Sequence, residues 1–201
     1  MEIVLATRNK GKIKELKSLL SDLDLKIYTL DDFINLPKIK ETGKTCEENA
    51  AKKAIFIARA VKKIALADDS VLEIDALNKK PGIKTARFTP KGDEKSNNAK
   101  ILKLMKKVPK EKRTAKFKCA IAISDGKTLF ETAYGECEGL ISEEEKGNYG
   151  FGYDPIFIPK GYKKTFAEMT PPQKNKISHR AKAVRKIKKI LLKIMKNKEG
   201  G

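Results

Sequence analysis

The chain has 201 residues, 40% hydrophobic and 35% charged, enough length and apolar content for one domain with a buried core and too much for a disordered chain. With 45 basic against 26 acidic residues the formal net charge is +19, a field that attracts nucleotides, nucleic acid and anionic surfaces alike and does not choose among them. Three scattered cysteines (Cys46, Cys119, Cys137) and a single histidine, His179, exclude a disulfide scaffold, a zinc ribbon and a histidine-rich metal centre, leaving carboxylates and a hard cation as the metal chemistry open to the chain.

Ile3 to Ala6 reads as a buried strand that begins almost at once. It leaves no room for a secretory leader, and no apolar run approaches the ~20 residues of a membrane span, so a cytoplasmic protein is expected. Ile13, Leu16 and Leu20 recur at helical spacing. Between strand and helix lies Thr7-Arg8-Asn9-Lys10-Gly11-Lys12, where free amide hydrogens and the positive helix end favour phosphate and Lys12 adds a mobile charge. The stretch is not a Walker loop, and an ordinary polar turn is the competing reading.

Thr45-Cys46-Glu47-Glu48 is a capping-box pattern opening a helix through about Val61, with Ala50, Ala54, Ile57, Ala58 and Val61 as its apolar face. Ile64 to Ala67 reads as a second strand, ending in Asp68-Asp69-Ser70. Adjacent carboxylates repel unless a cation or hydrogen bonds compensate; a magnesium ion would explain them, with Glu41 of the preceding loop as a further oxygen ligand, and a solvated turn would explain them equally. Leu72 and Ile74 alternate as a third strand, Pro81-Gly82 marks a turn, and Asn97 to Met105 is helical.

Phe117 to Ile123 and Thr128 to Tyr134 flank Asp125-Gly126, a hairpin signal. Gly150-Phe151-Gly152-Tyr153-Asp154-Pro155 then offers an aromatic platform on which a base could stack, with Asp154 at its edge, or a tight loop whose rings plug the core. Thr170-Pro171-Pro172-Gln173 caps a helix. An unbroken helix would set Lys174 and Arg180 on different faces, so a break is expected at Ser178, which caps a last helix with His179 and Arg180 in its first turn. Val184, Ile187, Leu191 and Ile194 give that helix an apolar stripe beneath a lysine-rich face, which suits docking on a sheet better than lying on a membrane. Early strand–helix alternation followed by a hairpin predicts an α/β domain with a mixed sheet.

Taken in order, Thr7 through Lys12, Glu41-Thr42-Gly43, Glu48-Asn49-Ala50, Asp68-Asp69-Ser70, Pro81-Gly82, Phe151-Gly152-Tyr153-Asp154-Pro155, Lys174 and Ser178-His179-Arg180 resemble the inosine/xanthosine triphosphate pyrophosphatase family over nearly the whole chain. The resemblance implies one domain over 1–201, an elongated α/β fold with a long mixed twisted sheet flanked by helices, two lobes with a cleft between them, and a homodimer. It also implies Mg2+-dependent hydrolysis, with Mn2+ as an alternative, of ITP, dITP or XTP to the monophosphate and pyrophosphate.

By the same resemblance Thr7, Arg8, Asn9, Lys10, Gly11, Lys12 and Lys53 hold phosphates, while Glu41, Asp68 and Asp69 serve the metal. Asp69 is also the catalytic base and Ser70 a substrate contact. Phe151, Gly152, Tyr153, Asp154, Lys174, His179 and Arg180 frame the base and the remaining phosphate oxygens. A donor from His179 or Arg180 to the C6 carbonyl would be left unpaired by adenine. Two positions depart from the family pattern: Val71 stands where glycine is usual, and the run Pro81 to Arg87 lacks the usual tyrosine-serine pair. The rival readings are a related pyrophosphatase for pyrimidine or modified nucleotides, and a basic nucleic-acid-binding protein.

Overall fold

The computed structural model describes residues 1–36, 39 and 41–199; Gly200 and Gly201, the end of the expected 1–201 domain, lie outside the described residues. In chain order the elements are β1 (Glu2–Leu5), α1 (Lys10–Leu19), β2 (Lys26–Thr29), α2 (Cys46–Val61), β3 (Ile64–Ile74), β4 (Pro81–Gly82), α3 (Glu94–Met105), β5 (Thr114–Ser124), β6 (Leu129–Ile141), β7 (Phe157–Pro159), α4 (Pro171–Ile177) and α5 (His179–Glu199). The strand order is β2-β1-β3-β5-β6-β7, with β4 added to β3. β1 is parallel to β2 and β3, whereas β4 on β3 and β7 on β6 are antiparallel. The fold is mixed α/β.

Local chemistry accounts for most of these bounds. Ile3, Val4 and Leu5 are fully buried, as a central parallel strand covered on both faces requires. Asn9 caps α1 by accepting from the Lys12 amide at 2.9 Å, and Thr45 caps α2 by accepting from the Glu48 amide at 3.1 Å. The Glu48 carboxylate returns to the Lys44 amide, one residue before the cap. The turn between β5 and β6 closes as Asp125 Oδ1 accepts from the amides of Lys127 and Thr128. Ser178 separates α4 from α5 in an extended conformation, the expected break.

The chain forms two compact units. The first comprises Met1–Asp69, Cys119–Gly135 and the chain from Arg180 onward; the second comprises Ser70–Lys118 and Glu136–His179. β3, β5 and β6 each contribute residues to both. In the first unit Ile3, Leu5, Leu16, Leu66 and Ile121 pack with Ala183, Val184, Ile187 and Leu191 of α5, so the apolar stripe of the last helix is a core face. In the second, Leu72, Ile74, Ile101, Phe157 and Phe166 surround Phe117, whose ring meets Phe157 edge-on at 4.7 Å between centroids. Among the described residues no helix is long and apolar enough to cross a membrane.

One expectation is corrected and two strands are added. The strands placed at Ile64 to Ala67 and at Leu72 and Ile74 are one strand, with Asp68-Asp69-Ser70 inside it; cations neutralise the acids, so they need no solvated turn. Pro81-Gly82 opens the expected turn, closed by the Lys84 amide on the Pro81 carbonyl at 3.1 Å, and in addition pairs antiparallel with β3 through Glu73 and Leu72. β2 carried no strand signal, because its Lys-Ile-Tyr-Thr run alternates weakly and rests on pairing with β1. Val71 is buried in extended β3 and is not among the positive-φ residues; a β-branched side chain suits it there, and the departure from glycine creates no backbone strain.

Candidate active site

In the first unit four cationic and acidic side chains interlock around the middle of β3. Asp68, with no exposed surface, bonds Lys12 Nζ through Oδ1 at 2.8 Å and Arg180 Nε through Oδ2 at 3.0 Å. Arg180 is 1% exposed and its Nη1 donates to Glu15. Burial disfavours the Asp68 charge, yet Lys12, Arg180 and Lys53 outweigh it and hold the carboxyl well below the ordinary aspartate value. Burial likewise works against the Arg180 charge, and Asp68 and Glu15 override it to raise its pKa. Arg180, expected at the base or phosphate, has Nε and Nη1 engaged by carboxylates.

Asp69, the next residue, meets a different environment. It is 9% exposed and accepts from Lys53 Nζ at 2.9 Å on Oδ1 and from Asn49 Nδ2 at 3.4 Å on Oδ2. Burial raises its pKa above the ordinary value, and the opposing pull of Lys53 and Lys12 does not cancel it. Alternation along β3 separates the two neighbours, since successive side chains leave a strand on opposite faces.

The α2 face assembles the rest. Asn49 and Lys53 are four residues apart and so share one face. Lys53 Nζ donates to Glu41 Oε1 at 3.0 Å and to the Asp68 carbonyl at 2.8 Å as well as to Asp69. Asn49 Oδ1 accepts from the Gly43 amide at 2.7 Å, holding the loop that carries Glu41. A Cβ on Gly43 would meet that Oδ1 at 2.6 Å, so only glycine allows the approach. Thr7, Arg8, Asn9, Lys10, Gly11 and Lys12 form the loop and first turn of α1, where the Asn9 amide donates to Thr7 Oγ1. Arg8 makes an exposed pair with Asp31, of small energetic weight.

The second unit holds the remaining expected residues. Asp154 Oδ2 accepts from the Phe151 amide at 2.9 Å and from Lys174 Nζ, which also lies 5.0 Å from the Phe151 ring centroid. Gly150 has φ +76, and a Cβ there would strike Asp154 Oδ2 at 2.1 Å. Tyr153 is buried and donates to the Thr85 carbonyl at 2.7 Å, the role of a plug, while Phe151 is only partly buried. The imidazole of His179 stacks on Phe117 at 4.5 Å and 7° between planes. Ser70 is the first residue of this unit.

Three supporting residues had no role assigned from the sequence. Asn49 shares a helix face with Lys53, and Glu15 lies one turn after Lys12. Asn98 of α3, which donates to the Gly152 carbonyl at 3.1 Å, is a polar residue at a position that faces the core.

The model of the Ham1 family matches residues 3–190. Among curated relatives, the dITP/XTP pyrophosphatase of Desulforamulus reducens is 48% identical over 193 residues, covering 95% of this chain and 96% of the relative. That of Bacillus subtilis is 47% identical over 191 residues, covering 94% and 96%. Among solved structures, a HAM1 protein from Coxiella burnetii superposes with a TM-score of 0.84 at 38% identity, covering 96% of this chain and 99% of the other. The Ham1 protein of Staphylococcus aureus gives 0.82 at 36%, covering 95% and 98%.

Proposed function

Because this chain belongs to the Ham1 family, we propose that it hydrolyses non-standard purine nucleoside triphosphates, among them dITP and XTP, to the monophosphate and pyrophosphate. It is a hydrolase of the triphosphate chain. The observation that carries the reading beyond the relatives' names is the convergence of Lys53, Glu41 and Asp69, with Lys12 held on Asp68 beside them in sequence and in the first unit.

The phosphates fall to Thr7 through Lys12, where first-turn amides and the Lys12 charge favour anions, and to Lys53. Asp69 is the base: its carboxylate, held at the centre of β3 by Lys53 Nζ on one oxygen and Asn49 Nδ2 on the other, takes the proton from the attacking water. Lys12 and Lys53 oppose the charge that grows on the phosphoryl oxygens as the bond between the α and β phosphates breaks. Asp68, which has no exposed surface, holds Lys12 and Arg180 in place with one oxygen on each.

A divalent ion fits the donors present. Glu41 Oε1 and Asp69 Oδ1 converge on one cationic group, and both are hard oxygens. Among the described residues no group of three or more His, Cys, Asp or Glu could hold a metal, and magnesium sites built from one or two carboxylates complete their shell with substrate phosphates and water. Such an ion, when bound, neutralises charge on the transferred phosphoryl group. Mg2+, or Mn2+ in its place, belongs to this proposal, as do a homodimer and a cytoplasmic location.

The base falls to Phe151, Gly152 and Asp154, with Lys174, His179 and Ser70, and Tyr153 supports them as a buried plug. Hypoxanthine and xanthine present a carbonyl at C6 where adenine presents an amine, and a donor left unpaired by adenine rejects it by up to ~10⁴-fold. In this reading the donor is His179, stacked on Phe117, or Arg180, whose Nε and Nη1 are held by Asp68 and Glu15.

The test is pyrophosphate release from ITP, dITP, XTP, GTP, ATP and dTTP with Mg2+, for the native chain and Asp69→Asn. Selective release from the first three, reduced on the order of 10³-fold or more in Asp69→Asn, is expected. Release from dTTP in preference to ITP would transfer the chain to pyrimidine nucleotides, and release unaffected by Asp69→Asn would remove the base assignment.

A further inference from the structure

Lys53 is 8% exposed, and its ammonium donates to three oxygens: Glu41 Oε1 at 3.0 Å, Asp69 Oδ1 at 2.9 Å and the Asp68 carbonyl at 2.8 Å. An ammonium has three donors, and each of these oxygens claims one. Two of the three are the carboxylates assigned above to a divalent ion. A monovalent and a divalent cation compete for the same pair of carboxylate oxygens, because their mutual repulsion at 3 to 4 Å in a mostly buried setting is several times larger than in water (roughly fourfold at an effective dielectric of ~20).

We propose that Lys53 is a cation placeholder: without nucleotide its ammonium occupies the electrostatic position of the metal between Glu41 and Asp69, and metal loading drives it off these oxygens and onto a substrate phosphate. The proposal rests on the metal and phosphate assignments of the preceding section and adds the exchange between them. A lysine suits the role because its charge sits on a flexible four-carbon stem with freely rotating donors, whereas the fork of an arginine is fixed in plane. The Asn49 clasp holds the receiving oxygens in place during the exchange, through Asp69 on one side and the Gly43 loop on the other. The exchange makes metal binding weak until a triphosphate is present to receive the ammonium, so metal and nucleotide bind with positive coupling.

The inference yields a result opposite to that of a simple phosphate ligand. Removing the lysine charge should improve metal binding by the nucleotide-free protein while impairing turnover. The experiment is titration of the full-length chain with Mn2+ alone, followed by the paramagnetic signal of the free ion, for the native protein, Lys53→Met, Lys53→Gln and Asp69→Asn. Both Lys53 variants should bind Mn2+ about 10- to 100-fold tighter than the native chain. Asp69→Asn should lose most of the binding. Melting curves establish that each variant is folded, and the glutamine variant carries the comparison should the methionine variant fail to fold.

Mn2+ affinity in the folded Lys53 variants equal to or weaker than in the native chain overturns the proposal. The titration uses no nucleotide, so it separates this inference from the activity. Tighter Mn2+ binding in a chain that releases no pyrophosphate would leave the placeholder standing and remove the substrate reading, and the reverse pattern would remove the placeholder alone.

Discussion

Asp68 and Asp69 are adjacent in sequence and opposite in electrostatic character. Both are buried acids, for which desolvation is the largest influence and raises the pKa; at Asp68 Lys12, Arg180 and Lys53 reverse it, and at Asp69 Lys53 and Lys12 do not. The stability consequences therefore run in opposite senses. A carboxylate whose folded pKa is depressed contributes stability that is full above its unfolded value, about 3.9, and lost as pH falls toward the folded value. Asp69, with its folded pKa raised, contributes a term lost as pH rises from the unfolded value through the folded one. Asp68→Asn should cost about 3–5 kcal/mol at neutral pH, since it strands the buried charges of Lys12 and Arg180. It should also flatten the fall in melting temperature on acidification below about pH 4. Thermal melts at a series of pH values check both, and an unchanged acid limb would assign that loss to other carboxylates.

At the scale of elements, β3 carries the candidate site because an 11-residue strand places the two acids at its centre, and α2 serves it because Asn49 and Lys53 repeat at helical spacing. β3 also explains the fate of the unusual Val71. Its side chain is 4% exposed in extended backbone, so glycine there would remove packing and add unfolded-state freedom without relieving strain. Val71→Gly should lower stability by about 2–4 kcal/mol and leave the turnover of folded protein with ITP within about threefold of native, which corresponds to under 1 kcal/mol of barrier. Calorimetry beside kinetics decides the matter: a large gain in activity at constant stability would show that the strand is strained after all. In the second unit Arg113 performs a structural clasp of the same kind, donating to the carbonyls of Met105, Ile141 and Ser142.

The molecule as a whole is strongly cationic, at +19. The field draws in a tetra-anionic nucleotide before any specific contact forms, and salt screens it with a Debye length of about 8 Å near 0.15 M. Raising salt from about 0.05 to 0.5 M should therefore increase KM for ITP several-fold while kcat moves much less, because the bound site is partly shielded from solvent. Steady-state kinetics across that range test it, and a parallel fall in kcat with unchanged KM would place the salt effect on the chemical step. A field of this sign attracts polyanions of any kind and does not by itself require a second function.

The sequence alone determined what depends on neighbours a few residues apart. The Thr45 cap, the Asn9 loop, the Asp125 turn, the Ser178 break and the apolar stripe of α5 follow from side chains meeting their own backbone or repeating with the helical period, and each stands where local chemistry put it. It also brought the site residues to notice as a set through the resemblance of their ordered motifs. Tertiary structure decided the rest. β2 and β4 exist through pairing with β1 and β3, the two halves of β3 join because Lys12, Lys53 and Arg180 neutralise acids that would otherwise seek solvent, and Tyr153 becomes a plug while Phe151 stays partly open. Above all, only the fold shows that Arg180 serves Asp68 and that Lys53 stands between Glu41 and Asp69, because a charge is defined by the partners that surround it, and those partners come from elements up to 165 residues apart.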